Sequence, residues 1–398
     1  MLNKEKKRIV FVDVARSFAI VLALVDHSLN DFGIWHDYPF HTFAMIKTVT
    51  SAATPTFLFL FGMMLELVYL KSLNNKGLDY VAPKLLKRSI QCYFGYLLTI
   101  LAGLIGGVLT FKRSIAAALF MSNTHYGNIL KLYAVMLIIA IPLLIIRRKY
   151  GIWIVWIAVM ALSFSSYFVF KNLPIEKSHL TALLSTFFGI GASGGPSIFN
   201  SLTLVTTGML CAGFISYEKK NRFIFNSGLL WIISFALVVA SVMAIGTDVA
   251  IDRYYSNTFR NINHPFYYLA GINLSILIAI VFAALFPVGT AIGARLFKFL
   301  IFGRSSLMAF TTGNVILNLL LLTFLEKYEW TLAGPLAFVV LVYLILYLYE
   351  NKIEDNDDLR LRPVLFVKNF FVSRFFNPAS GFLVRLFIKY DREVKVGR

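Results

Sequence analysis

Apolar residues fall in ten long runs: 9–29, 44–70, 88–110, 128–146, 150–170, 199–217, 223–245, 266–290, 305–325 and 330–349. Each is close to the roughly 20 apolar residues that carry a helix across a bilayer. Leu, Ile, Phe and Ala follow one another without strict alternation, which argues against barrel strands. In lipid every backbone polar group must be bonded internally, so helix is the default for each run. The pattern predicts an all-α polytopic integral membrane protein with about ten transmembrane helices in residues 1–350. Residues 351–398 form a tail.

Composition strengthens this reading and removes its rivals. Of 398 residues, 58% are hydrophobic and 15% are charged. Soluble domains carry about 25% charged residues, so a soluble, disordered or coiled-coil chain is excluded. The net charge of +18 invites a nucleic-acid reading, but the basic residues sit in short clusters between apolar runs. With a cytoplasmic N-terminus, 28 of the 38 Lys and Arg fall in cytoplasmic segments and 9 in external ones. That asymmetry places both termini inside, gives a multi-pass membrane protein, and leaves no need for a nucleic-acid partner. The tail opens with Glu354, Asp355, Asp357 and Asp358 and then turns basic. Such a segment suits the surface of an anionic leaflet, or is simply a solvated cytoplasmic tail. Cys92 and Cys211 lie in apolar runs, so neither a disulfide nor a Cys/His metal site is expected. Asp13 and Arg16 interrupt the first run, which argues against a cleaved signal.

The same first run holds the most informative chemistry. Asp and Arg near the middle of a spanning helix cost about 2.5–3.5 kcal/mol each on insertion scales, and such groups normally face a bundle interior or a wet cavity. Arg16 and His27 are eleven positions apart, about three turns, so they share one face roughly 16 Å apart along the axis. Asp13 lies one turn before Arg16 and can pair with it. Read blandly, Asp13–Arg16 is an interhelical clamp and His27 a helix end near water. Read functionally, the stripe borders a reaction path, and His27 accepts a proton from a hydroxyl arriving from outside, with Asp26 in support.

The first run has the Arg16–His27 spacing preceded by Asp13, then Val25-Asp26-His27. Thr54-Pro55-Thr56-Phe57 follows and leads to Gly62. This set resembles the membrane acyltransferases of family 3, and especially the succinyltransferase of periplasmic glucans. Asn128 to Tyr133, Ser201 to Gly208 and Gly303-Arg304 are similar to elements of the wider superfamily that includes heparan-α-glucosaminide N-acetyltransferase. The resemblance covers residues 8–315. It implies an acyl-CoA-dependent O-acyltransferase, taking its donor (acetyl-CoA foremost, succinyl-CoA as an open option) from the cytosol. The acceptor is a hydroxyl of an extracytoplasmic glycan. Under the resemblance His27 is the base or acyl relay and Arg16 shapes the donor channel. The chain departs from the pattern at Ser17, where Gly is usual, and at Asn314, where many members place His or Gln.

Coenzyme A carries phosphates, so its entrance should be basic and cytosolic. Lys84, Lys87, Arg88 and Arg304 stand at such junctions and, with Asp13 and Arg16, are the expected donor contacts. Each also reads as plain inner-leaflet anchoring, Arg304 least so, because it follows Gly303 at a predicted helix start where backbone donors favour anions. His36 and His41 in the first external loop, which are also alternatives to His27 as the base, and His264 with Tyr267 at an external helix entry, are the expected acceptor contacts. His264 has the competing role of anchoring a helix start. His125 and His179 read as loop residues, and Glu66 and Asn318 as interhelical hydrogen-bond partners. No metal is expected, and a homodimer is compatible with the pattern. The main rival is a transporter or flippase for a glycan or lipid-linked sugar, although internal repeats are lacking. A non-catalytic subunit of a polysaccharide synthesis complex is a second.

Overall fold

A computed structural model of the chain describes residues 9–34, 40–170, 179–190, 195–216, 219, 221–288 and 300–352. The side chains of 40–45, 179–180, 327 and 351–352 lie outside that description, as do His36 and the tail from 353. The described elements are all helical. In chain order they are α1 (Val10–Asp31), α2 (Phe40–Ser51), α3 (Ala53–Met64), α4 (Leu78–Ile105), α5 (Phe111–Ala118), α6 (Asn128–Tyr150), α7 (Ile152–Phe170) and α8 (His179–Phe188). Then follow α9 (Ile198–Ala212), α10 (Arg222–Ile245), α11 (Thr247–Tyr255), α12 (Thr258–Asn261), α13 (Pro265–Leu285), α14 (Ile301–Arg304), α15 (Ser306–Leu320) and α16 (Ala333–Lys352). A π turn at Leu65–Leu70 and a helical turn at Lys71–Lys76 prolong α3.

Every one of the ten apolar runs contains a helix, but only seven described helices are long and apolar enough to cross a membrane. The other three fall short for different reasons. Helices α9 and α15 have 15 residues each, about 22 Å at 1.5 Å per residue. Helix α1 has 22 residues, but Asp13, Arg16 and Asp26 interrupt its apolar character.

Helix α1 can carry those charges because it is central. It packs against α3, α13, α14, α15 and α16. One buried cluster gathers its first half with α3, α4, α6, α9 and α13. A second gathers its other half with α4, α15 and α16. Peripheral helices show the opposite pattern. Helix α10 exposes Phe225, Leu229, Ile232 and Ile233, while Ser227 and Ser234 are buried. Helix α7 buries Ser163 and Ser166, which donate to Asn200 Oδ1 at 2.8 and 3.2 Å. Apolar side chains outward with small polar groups bonding between helices is the arrangement that hydrocarbon favours.

Two glycines bring α3 and α9 into backbone contact. A Cβ at Gly62 would lie 1.9 Å from the Val205 carbonyl oxygen, and one at Gly208 would lie 1.9 Å from that of Phe59. Any side chain there would force the helices apart. Both glycines end the motifs that begin at Thr54 and Ser201, so these motifs have a packing role.

Candidate functional site

One cavity of about 220 Å³ lies between α1, α3, α4, α6, α14 and α15. On α1 its wall is Arg16, Ala19, Ile20 and Ala23, a stripe at helical spacing. The two alanines leave the space that larger side chains would fill. Arg88 from α4 and Arg304 from α14 join Arg16 in the lining, so three arginines border one cavity. The rest is mainly apolar, with Phe57 and Phe61 from α3 and Phe310 from α15. Gly303 seats α14 against α1: a Cβ there would come within 2.5 Å of the Asp13 carbonyl oxygen and 2.4 Å of Ser17 Oγ. The small residue at 17 and the glycine at 303 together allow Arg304 to approach Arg16.

Two of the arginines are loosely held, and the third is firmly paired. Arg16 Nη1 stands 3.4 Å from Asp13 Oδ1, and Arg88 Nη1 stands 3.4 Å from Gln91 Oε1 at the exposed rim. Arg304 is ion-paired with Glu350, which Ser305 also contacts. Of the other expected donor contacts, Lys84 and Lys87 are exposed outside the cavity. Lys84 Nζ sits 3.7 Å over the Tyr80 ring. Tertiary packing thus gathers Asp13, Arg16, Arg88 and Arg304 and leaves the two lysines on the surface. Elsewhere Glu66 pairs with Arg147 at 2.6 Å, the interhelical bond its position suggested.

His27 lies one turn beyond Ala23 on the same face and is not part of the cavity wall. The Phe310 ring, which is in that wall, meets the imidazole edge-on at 5.6 Å. On its other side the imidazole stacks on Tyr126 with centroids 3.8 Å apart. Nδ1 is 3.1 Å from Asn314 Oδ1. The amide's orientation follows from its other end, because Asn314 Nδ2 donates to the Tyr126 carbonyl at 3.1 Å. Its oxygen therefore faces the ring, Nδ1 carries the proton, and Nε2 keeps the lone pair. Among the described residues nothing bonds Nε2.

Asp31 anchors this arrangement. It is 5% exposed, accepts from the Tyr126 hydroxyl at 2.6 Å and stands 2.9 Å from His125 Nε2. Burial, and next the charge of Asp31, push the Tyr126 phenol well above its usual range, so it remains a donor. Tyr126 takes a positive φ of 60°, a backbone region that bulky residues seldom adopt. Asn318 Nδ2 holds the His125 carbonyl at 3.2 Å, so Asn318 ties α15 to this loop and not, as expected, to another helix.

Several site expectations are corrected by the geometry. Asp26 does not orient His27. Its Oδ1 accepts from Lys47 Nζ and Thr50 Oγ1, both at 2.8 Å, because adjacent helical residues diverge by about 100°. His264 does not present a free ring: its Nδ1 accepts from the Phe266 N–H at 3.1 Å and caps α13, its competing role. Tyr267 is 3% exposed, inside the bundle. His125 is more than a loop residue, given its bond to Asp31. The side chains of His36, His41 and His179 fall outside the described residues. Sequence reasoning missed Asp31, although it stands one turn after His27. It also missed Tyr126, for which no local signal exists.

The geometry defines an all-helical bundle built around a polar first helix, with a cationic cavity on one part of it and a fixed imidazole on another. A family model described as OpgC protein matches residues 8–117, and it supports the membrane acyltransferase assignment. The matched stretch runs from α1 through most of α5 and includes Arg16, His27, Asp31 and Arg88. No curated protein and no solved structure matches the chain.

Proposed function

We propose that this protein transfers an acyl group from cytosolic acyl-CoA to a hydroxyl of an extracytoplasmic glycan, in the bacterial inner membrane. The observation that carries the proposal is His27. Its tautomer is set by Asn314, its Nε2 is left with a lone pair, and it stands one turn past a cavity lined by three arginines. The basic-residue asymmetry favours the Arg16 end as the cytosolic one. Guanidinium groups there suit the phosphates of coenzyme A, and the apolar wall suits its pantetheine arm.

In the reaction Nε2 takes the proton of the acceptor hydroxyl as its oxygen attacks the thioester carbonyl. The C–S bond breaks and the proton passes to the departing sulfur, giving an ester and free coenzyme A. In the two-step version Nε2 attacks the thioester carbonyl and the C–S bond breaks, releasing the coenzyme A thiolate, which takes a proton from water, and leaving an acyl-imidazolium; the hydroxyl then attacks the acyl carbon, Nε2 leaves with its lone pair, and the hydroxyl proton returns to water. Phe310 stands between the cavity and the ring, so contact with the thioester requires this side chain to turn. The expected cargo from sequence is acetyl. The matched family, of glucan succinyltransferases, supports a succinyl group as the second choice.

Purified protein incubated with acyl-labelled acetyl-CoA or succinyl-CoA and a glucan oligosaccharide tests the reading. Labelled ester is expected from the native chain and not from His27→Ala of equal expression. Ester formation at the native rate by His27→Ala would reject His27. Failure of the native protein to bind acyl-CoA would reject the enzyme in favour of a transporter.

A further inference from the structure

A second, smaller pocket of about 30 Å³ adjoins the cavity. Thr54 and Ile129 line both spaces, so the two are neighbours across one layer of side chains. The small pocket is cationic. Lys131 and Arg260 line it, and among the described residues no Asp or Glu does. Lys131 is 4% exposed, and its ammonium donates to Asn123 Oδ1 at 2.9 Å. That bond uses one of three donors. Arg260 Nε is buried with no acceptor. Gly195 forms an edge of the pocket, where a Cβ would lie 4.0 Å from both Arg260 Nη2 and Asn128 Nδ2. A buried ammonium beside a half-buried guanidinium, with no carboxylate among the described lining residues, is costly, and a bound anion removes that cost.

Position makes the pocket relevant to transfer. Asn128, which lines it, follows Tyr126 by two residues, and Tyr126 is stacked on His27. An extended molecule reaching from the cavity past Thr54 and Ile129 meets Lys131 and Arg260 at its far end. We propose that this pocket is a carboxylate-recognition subsite, in which Lys131 and Arg260 take the free carboxylate of one of the two substrates. That carboxylate belongs either to a dicarboxylic acyl group or to an acidic sugar of the acceptor. The proposal rests on the acyl-transfer reading above.

The test pairs transfer with a binding measurement that needs no turnover. Native protein, Lys131→Met and Arg260→Gln are assayed with succinyl-CoA and acetyl-CoA against a neutral glucan oligosaccharide and a glucuronate-containing one. Thermal protection by succinate, relative to acetate, is measured in the same three proteins. If the donor supplies the carboxylate, each variant loses about tenfold or more in kcat/KM for succinyl-CoA and keeps acetyl transfer. If the acceptor supplies it, the loss follows the glucuronate acceptor with either donor. In both cases native protein is protected by succinate and the variants are not. Equal effects on all four substrate pairs, or equal succinate protection in native and variant proteins, would overturn the subsite. Succinate protection that depends on Lys131, in a protein that transfers no acyl group, would sink the enzymatic reading and leave an anion site. Arg260→Lys, which keeps the charge, should retain part of the protection and guards against a folding artefact.

Discussion

The two halves of α1 handle their polar residues in opposite ways. Around Arg16 the charges are half-held: the Asp13 contact is 3.4 Å long, and the guanidinium is 19% exposed to a cavity. Around His27 nearly every polar atom is engaged, through Asn314, Tyr126, Asp31 and His125, and the ring is packed between aromatic side chains. The first arrangement tolerates a flexible, multiply charged ligand and gains by pairing with it. The second holds one nitrogen in one orientation, which is what proton transfer or nucleophilic attack requires. Two ends of a single helix, about three turns apart, can therefore serve as an electrostatic entrance and as a rigid chemical centre, because different neighbours surround them.

This contrast can be broken at either half. Removing the imidazole should have the largest effect: His27→Ala is expected to lower acyl transfer by about 10²–10⁴-fold, with acyl-CoA affinity unchanged. Equilibrium binding alongside single-turnover transfer checks it. Arg16→Ala and Arg304→Ala should act on the other side. Each is expected to weaken coenzyme A binding by about 10–100-fold, the worth of a charge-assisted hydrogen bond, and to lower its salt dependence. Titration at two ionic strengths measures both effects. A loss in the chemical step with native affinity would contradict the division between the halves.

Asn314→Leu sharpens the contrast further. It keeps the bulk but frees Nδ1, so the ring is no longer confined to one tautomer. Transfer is expected to fall about tenfold, less than on removing the base, with KM for acyl-CoA unchanged. A pre-steady-state assay resolves this, and a selective rise in KM would show that Asn314 serves binding instead. The smallest effect is expected at Asp26. Asp26→Asn weakens the Lys47 and Thr50 contacts, which face away from the ring. It should alter transfer by less than about threefold, as a partly exposed ion pair outside the site implies. A drop comparable with that of His27→Ala would restore Asp26 to the catalytic centre.

The sequence carried the helical architecture because hydrocarbon leaves the backbone few choices. Each of the ten apolar runs contains a helix, and seven described helices are long and apolar enough to cross a membrane. The stripe from Arg16 to His27 was also legible, since helical periodicity is a local property that needs only the spacing. The partners of that stripe were not. Lys84, Lys87 and Arg88 are near neighbours in sequence, yet only Arg88 reaches the cavity: Lys87 is turned about 100° from it, and Lys84, one turn earlier on nearly the same face, sits over the Tyr80 ring. Asp26 sits beside His27 in the chain and turns to α2. Tyr126 and Asn314 lie far from His27 in sequence and touch it.

By itself the sequence determined which segments are apolar helices and which few residues on the first of them carry an exceptional insertion cost. Both follow from transfer energies and from a fixed helical repeat. The tertiary structure decided which nitrogen of His27 bears the lone pair, which arginines share a cavity, and that Lys131 and Arg260 line one pocket. These depend on distances between residues remote along the chain. Such distances are set by close approaches like that of Gly62 to Val205 and Gly303 to Asp13, where the absence of a side chain lets helices meet.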